Sequence, residues 1–322
     1  MYTGWWKPYP INRPLGLKEE DEKLSRDKPK HARDAIEPDD RSSLIRFNST
    51  YADFIDRRFR LRGSAFTTIF IAGLALFLGV IALFISFLFK DPDHWLMYSF
   101  GIVFVACCMI APLVGLRRDF FLYTHYPIRF NRKTRMVHAF LHNGPDGVIS
   151  VPWDQAYFHI GHGLDDPYFI DVRCHVLEGH MVKQTFAVGH FYDNPDVVKQ
   201  IWSFIRTYMD EGPEALQGLP PISASVSTGF KNCFLWSYQY CRMVLPIPLV
   251  MWVFVALTTP TRWLVLKTCK QPIWPMEVLA ESVVEENDPH HWPEPKSSGE
   301  FSKDEKVWAA VKARAPRRKQ VG

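Results

Sequence analysis

Histidine is the residue type in this chain best suited to chemistry. Eight of its 12 histidines fall in one stretch: His125, His138, His142, His159, His162, His175, His180 and His190. Neutral imidazole is a common metal ligand, and its charge changes near neutral pH. His159-Ile160-Gly161-His162 supplies a His-x-x-His pair, and His175 and His180 could face each other across a Glu178-Gly179 turn. Two features count against a metal centre. Gly161 in a strand-turn setting does not hold both rings on one face, and no carboxylate lies at ligand spacing beside the pair. The expectation is solvated strand-face histidines, with no bound metal and no cofactor.

The signs of nucleophilic catalysis are weaker still. Cys174 and His175 are neighbours in a strand pattern, so they point to opposite faces and cannot act as nucleophile and base. Asp165 and Asp166 are adjacent turn carboxylates of the solvated kind. The chain has no Gly-x-Ser-x-Gly elbow, no Gly-x-x-x-x-Gly-Lys phosphate loop and no Gly-x-Gly-x-x-Gly. No catalytic residue is expected and the chain reads as a non-enzyme, a metal-dependent enzyme being the alternative.

Composition narrows the class. With 47% hydrophobic and 15% aromatic residues in 322, the chain can build a packed core and is not disordered. A net charge of +4 without a Lys/Arg block does not favour nucleic acid as a partner. Six cysteines without Cys-x-x-Cys spacing read as free thiols in a reducing compartment.

The apolar residues are concentrated. Ala65 to Phe89 and Trp95 to Leu116 are both uncharged and long enough to cross a bilayer. A five-residue link, Lys90 to His94, joins them, so the expectation is an antiparallel transmembrane hairpin. Arg57, Arg58, Arg60 and Arg62 precede it, and Arg117 and Arg118 follow it. Cytoplasmic flanks carry the excess of Lys and Arg, which puts both ends of the hairpin inside and the link, with Trp95 at its interface, outside. A third apolar run, Met243 to Thr259, is shorter and is bounded by Pro246, Pro248 and Pro260. It is expected to lie in the inner interface, with Arg262 and Trp263 at headgroup level, in preference to spanning. Trp236, Trp252, Trp263 and Trp274 fit an interfacial belt or ordinary packing equally well. Gly73, Ala75 and Gly79 on the first helix would permit self-association into a homo-oligomer.

Between these runs the pattern changes to short strands. Ile170, Val172, Cys174 and Val176 alternate with Asp171, Arg173 and His175, a half-buried strand. Asn194 is a fitting N-cap, with Pro195 at the first helical position, for a helix carrying Val197, Ile201, Phe204, Ile205 and Tyr208. Five to seven antiparallel strands closed by one amphipathic helix look like a pleckstrin-homology-like roll. The organisation expected is a polar cytoplasmic segment over 1–62, the hairpin over 63–118 and a cytoplasmic β-rich domain over 119–213. A linker with the third apolar segment follows over 214–284, and a charged tail over 285–322. The fold class is an α+β membrane protein.

Three short stretches, Tyr9-Pro10-Ile11-Asn12-Arg13-Pro14-Leu15, Val151-Pro152-Trp153-Asp154 and Pro272-Ile273-Trp274-Pro275, together with the hairpin, carry a resemblance. The chain resembles an uncharacterised family of proteobacterial inner-membrane proteins often encoded near type VI secretion genes and toxins. The resemblance covers about residues 8 to 290 and defines no active-site residue. It implies a context of toxin delivery, hence an immunity protein that binds a secreted toxin or an accessory in toxin delivery. The expected contact is near Trp153, Asp154, His159 and His162, because turns beside short strands carry binding. The alternative is a membrane- or lipid-sensing regulator that presents Arg117, Arg118, Arg132, Lys133 and Arg135 to anionic headgroups.

Overall fold

The computed structural model describes residues 8–27, 36–90, 95–108, 119–163, 169–216, 224–292 and 294–298. They form an α+β structure of two compact units. One takes the described parts of Met1–Phe59, His125–Ser227 and Gln271–Gly322; the other takes those of Arg60–Thr124 and Thr228–Lys270.

The sheet unit carries two antiparallel sheets. The first has five strands in the order β2 (Leu44–Phe47), β3 (Tyr51–Phe54), β4 (Ile128–Asn131), β5 (Met136–Phe140) and β6 (Val148–Pro152). The second has the order β1 (Arg13–Pro14), β9 (Met181–Tyr192), β8 (Ile170–Glu178) and β7 (Tyr157–His162). A short helix α1 (Leu17–Asp21) follows β1. Helix α4 (Pro195–Arg206) lays Val198, Ile201, Trp202, Phe204 and Ile205 into the core. Its first turn is capped as its sequence suggests: the Asn194 side chain accepts from Asp196 N–H at 2.8 Å, with Pro195 at the first helical position.

The strand region therefore extends beyond 119–213. Strands β2 and β3 come from the segment read as polar and cytoplasmic, and Ala52 and Phe54 pair with Phe130 and Ile128. Their buried residues are too few and too closely spaced for periodicity to flag without the partner strand. Trp274, for which an interfacial belt and ordinary packing fitted the sequence equally well, packs edge-on to Phe140 in this unit.

The helical unit contains α2 (Ser64–Lys90), α3 (Trp95–Cys108), α5 (Phe230–Val244) and α6 (Pro248–Thr268). A seventh helix among the described residues, α7 (Met276–Glu281), belongs to the sheet unit. Helix α2 contacts both α3 and α6. Two stretches, Phe59–Phe87 and Pro248–Thr268, are long and apolar enough to cross a membrane. The third apolar run differs from its expected bounds. Pro248 starts α6, but the helix continues through Pro260 to Thr268, giving 21 residues. Proline removes only its own N–H from the ladder, and Thr258, Thr259 and Thr261 hydrogen-bond back to the carbonyls of Phe254, Val255 and Leu257 around it.

Candidate functional site

The site is built on the second face of the β7–β8–β9 sheet. One face of β8 feeds Val172 and Cys174 into the apolar core, as alternation predicts. The opposite face carries Asp171, Arg173 and His175, and it too is buried. Residues 9–24 cover it. Asn12 N–H donates to Val182 O, Leu15 N–H to His180 O, and Leu24 N–H to Phe158 O, so this segment is laced to the sheet by backbone bonds. The Tyr-Pro-Ile-Asn-Arg-Pro-Leu stretch thus supplies strand β1 and the lid over the polar face.

Beneath that lid the charges are paired. Arg173 donates from Nε and Nη2 to both oxygens of Asp171, and Arg57 Nη1 reaches the same carboxylate at 2.8 Å. The Tyr9 ring sits 5.1 Å from the Arg173 guanidinium, close enough for a cation–π contact. Gly161 makes room for this pair, because a Cβ there would overlap the Arg173 guanidinium and come within 2.6 Å of Asp171 Oδ1.

The imidazoles gather beside it. His159 on β7 lies directly across from Arg173 on β8, and its ring centroid is 4.4 Å from that of His175. His175 Nδ1 is 2.8 Å from Thr185 Oγ1, and Nε2 is 3.2 Å from Glu19 Oε1. A carboxylate only accepts, so His175 Nε2 carries the proton in that bond. Glu19, on α1, also accepts from Arg13 Nη2 at 2.5 Å, Arg13 Nη1 at 2.8 Å and the Gly16 N–H at 2.9 Å. Burial raises the carboxyl pKa, but the bonds from His175, Arg13 and Gly16 outweigh it and hold the group well below the usual range. His159 Nδ1 lies 3.0 Å from Ile160 O, and a carbonyl also only accepts, so Nδ1 is the protonated nitrogen. Nε2 is buried and has no hydrogen-bond partner among the described residues. Burial, then the nearby His175 and Arg173, push the His159 pKa down to about 4, so the ring is neutral near pH 7. Glu19, His159 and His175 line a cavity of about 290 Å³.

The structure brings together only part of the expected contact patch. His159 is 1% exposed, and His162 is half-buried with Nε2 2.6 Å from Glu22 Oε2. Both histidines are on strand β7, since Gly161 and His162 pair with Asp171 and Ile170 where a turn was expected. Neither His159 nor His175 is solvated. His175 opposes Thr185, because the β8–β9 hairpin closes with Glu178 opposite Met181, so His180 never faces it. Trp153 is fully buried, stacked on Trp202 and donating to Asp210 Oδ1 at 2.9 Å, so it is not a contact residue. Asp154 is exposed and pairs with Arg26 and Arg135. Burial pushes the Cys174 thiol pKa well up. The carboxylate that completes the histidine cluster, Glu19, lies 140 residues before His159 and gave no spacing signal.

Several residues read as membrane flanks are placed elsewhere. Arg57 is buried against Asp171 in the sheet unit. In the helical unit Arg62 and Arg262 are buried, and Arg262 Nη1 donates to the carbonyls of Arg60 and Arg62. Arg60 Nη1 approaches Met243 Sδ at 3.8 Å, and Arg58 N–H donates to Asp56 Oδ2. Trp263 is part-exposed and meets Phe230 edge-on. Trp236 is buried. Trp95 starts α3; Arg117, Arg118, Asp165, Asp166 and most of the 285–322 tail lie outside the described residues.

No curated protein and no solved structure matches this chain. Residues 105–286 match a family profile that spans His159 and His175 but not Glu19. Since that match covers more than half of the sequence, the chain belongs to DUF6708, a family of unknown function.

Proposed function

We propose that the protein is a membrane-anchored binding protein of the bacterial inner membrane. Its N-terminal helical hairpin crosses the bilayer, and its sheet unit, a pleckstrin-homology-like roll closed by α4, lies in the cytoplasm. The observation that carries the anchor is the apolar surface of α2. Leu76, Leu78, Leu83 and Phe89 are more than half exposed on it, and Phe70 and Ile85 are exposed too. A contiguous apolar surface of that extent is unfavourable in water and favourable in lipid. The sequence resemblance supplies the partner: a secreted toxin, which the sheet unit neutralises by occlusion. A role as accessory in toxin delivery would use the same membrane-anchored contact.

Lipid sensing by the sheet unit has less support. Lys133 pairs with Glu285, and Arg135 pairs with Asp154 and Asp210, so two of the cations meant for headgroups are engaged within the chain. Purification of the tagged protein from its native cells in mild detergent, with mass spectrometry of what accompanies it, tests the reading. The expected result is the protein in the membrane fraction with a toxin encoded beside its own gene, and relief of that toxin's lethality on co-expression. Recovery from the soluble fraction would overturn the anchor, and unrelieved lethality would overturn the immunity role. Labelling of cysteines introduced at residue 92 and in the 119–124 loop checks the orientation, with only residue 92 expected to react from outside.

A further inference from the structure

We infer that Glu19, His159 and His175 form a binding site for one divalent transition-metal ion of the Zn²⁺ type, which clips the N-terminal segment onto the sheet. One ligand atom from each residue lies within 4.8 Å of the other two. His159 is the telling member. Its Nδ1–H is spent on the Ile160 carbonyl, so the lone pair is on Nε2, buried and without a partner among the described residues. A buried acceptor with nothing to accept from carries a free-energy cost that a cation in the adjoining cavity removes. The bond from Nδ1–H to a backbone carbonyl is also the usual outer contact that fixes a ligating imidazole.

The other two ligands are oriented in the same way. Thr185 Oγ1 holds His175 through Nδ1, leaving Nε2 toward Glu19. Gly16 N–H and Arg13 Nη1 hold Glu19 through Oε2, leaving Oε1 toward His175. In the metal-free chain a proton on His175 Nε2 bridges to Glu19 Oε1. The ion takes the place of that proton, which moves to Nδ1 and donates to Thr185 Oγ1 when the ring is neutral and leaves to solvent when the ring is an imidazolium; the ion then shares Oε1 with Arg13 Nη2. Two imidazoles and one carboxylate are a common donor set for Zn²⁺, at about 2.0–2.2 Å from the ion with a fourth position open. Ligand atoms on one ion are then roughly 3.5 Å apart, so from a spread of at most 4.8 Å the cluster closes by about 1.3 Å at most. Because Glu19 sits on the covering segment while His159 and His175 sit on β7 and β8, the ion would fasten residues 9–24 across the polar face.

The test uses the full-length chain with a non-histidine tag in mild detergent, stripped with a chelator and titrated with ZnCl₂. Calorimetry and elemental analysis are expected to give one Zn²⁺ per chain and a rise in Tm on binding. His159→Gln and Glu19→Gln should each weaken binding by about 100-fold or more, and Thr185→Val by about 10-fold, the range for an outer contact. His162→Gln should leave it unchanged, since His162 is held by Glu22. Near-UV circular dichroism of the stripped variants checks that each has folded, and Thr185→Val carries the test if a ligand variant has not. The absence of saturable Zn²⁺ uptake, or equal uptake by His159→Gln and the parent, would overturn the site.

Discussion

In the sheet unit Asp53, Arg129, Asp171 and Arg173 are no more than 6% exposed; on α2 of the helical unit Leu76 and Leu78 are 52% and 55% exposed. One region buries charge and the other exposes hydrocarbon, each the reverse of the ordinary soluble pattern. The causes differ. In the sheet unit every one of those charges meets an opposite one: Arg129 binds both oxygens of Asp53 and lies between the Tyr51 and Trp274 rings. On α2 no described residue covers these side chains. Pairing therefore explains the first region from within, whereas the second is long and apolar enough to cross a membrane, the solvent proposed above for it.

Breaking a pair in the first region has the largest expected effect. Asp53→Ala leaves Arg129 buried without its carboxylate, which costs about 3–5 kcal/mol. At roughly 2–4 °C per kcal/mol for a domain of this size, the Tm in detergent should fall by about 6–20 °C. The double variant Asp53→Leu/Arg129→Met removes both charges and should return to within about 1 kcal/mol of the parent. An equal loss in the single and double variants would show that the pair is not what makes this burial tolerable.

The second region is tested by placing a charge on its surface. Leu78 lies near the middle of α2, and arginine there costs about 2.5–3.5 kcal/mol if the helix is inserted in lipid. The same change at a water-exposed site would fall within about 0.5 kcal/mol. Carbonate-resistant membrane association should therefore drop for Leu78→Arg and stay unchanged for Glu178→Arg on the sheet unit. Unchanged association of Leu78→Arg would remove the lipid side of the comparison.

A smaller effect is expected at the start of α4. Asn194→Ala removes the bond to Asp196 N–H and should cost about 1 kcal/mol, read as a Tm fall of a few degrees. This position also shows what local sequence could reveal. The cap, the proline after it and the helical spacing behind it are all contained in about 15 residues, and each long uncharged run is likewise one continuous stretch. The lid over the polar face was not legible. Its partners are the side chains of β7 and β8, and the strand pattern at Asp171, Arg173 and His175 looks the same whether water or residues 9–24 cover it. For the same reason Glu19, which arrives through the β1–β9 pairing, gives no spacing signal near His159 in sequence. Arg57 was misread as a membrane flank because its partner, Asp171, lies 114 residues away.

The smallest effect sharpens the comparison most directly, because it sets one aspartate against another. Asp154 has 70% of its side chain exposed and meets Arg26 and Arg135 at 3.2 Å and 3.1 Å. Removing it strands neither arginine, since Arg26 still donates to the Asp154 and Ala156 carbonyls and Arg135 to Asp210 and the Met209 carbonyl. Exposed ion pairs contribute about 0–1 kcal/mol and are screened by salt. Asp154→Ala should therefore shift the Tm by no more than a few degrees at low ionic strength, and less at high ionic strength, while the loss in Asp53→Ala persists. The two aspartates differ little in their partners and greatly in their exposure. A loss at Asp154 as large as that at Asp53 would mean that charge pairing itself, and not the burial of the pair, sets the stability of the sheet unit.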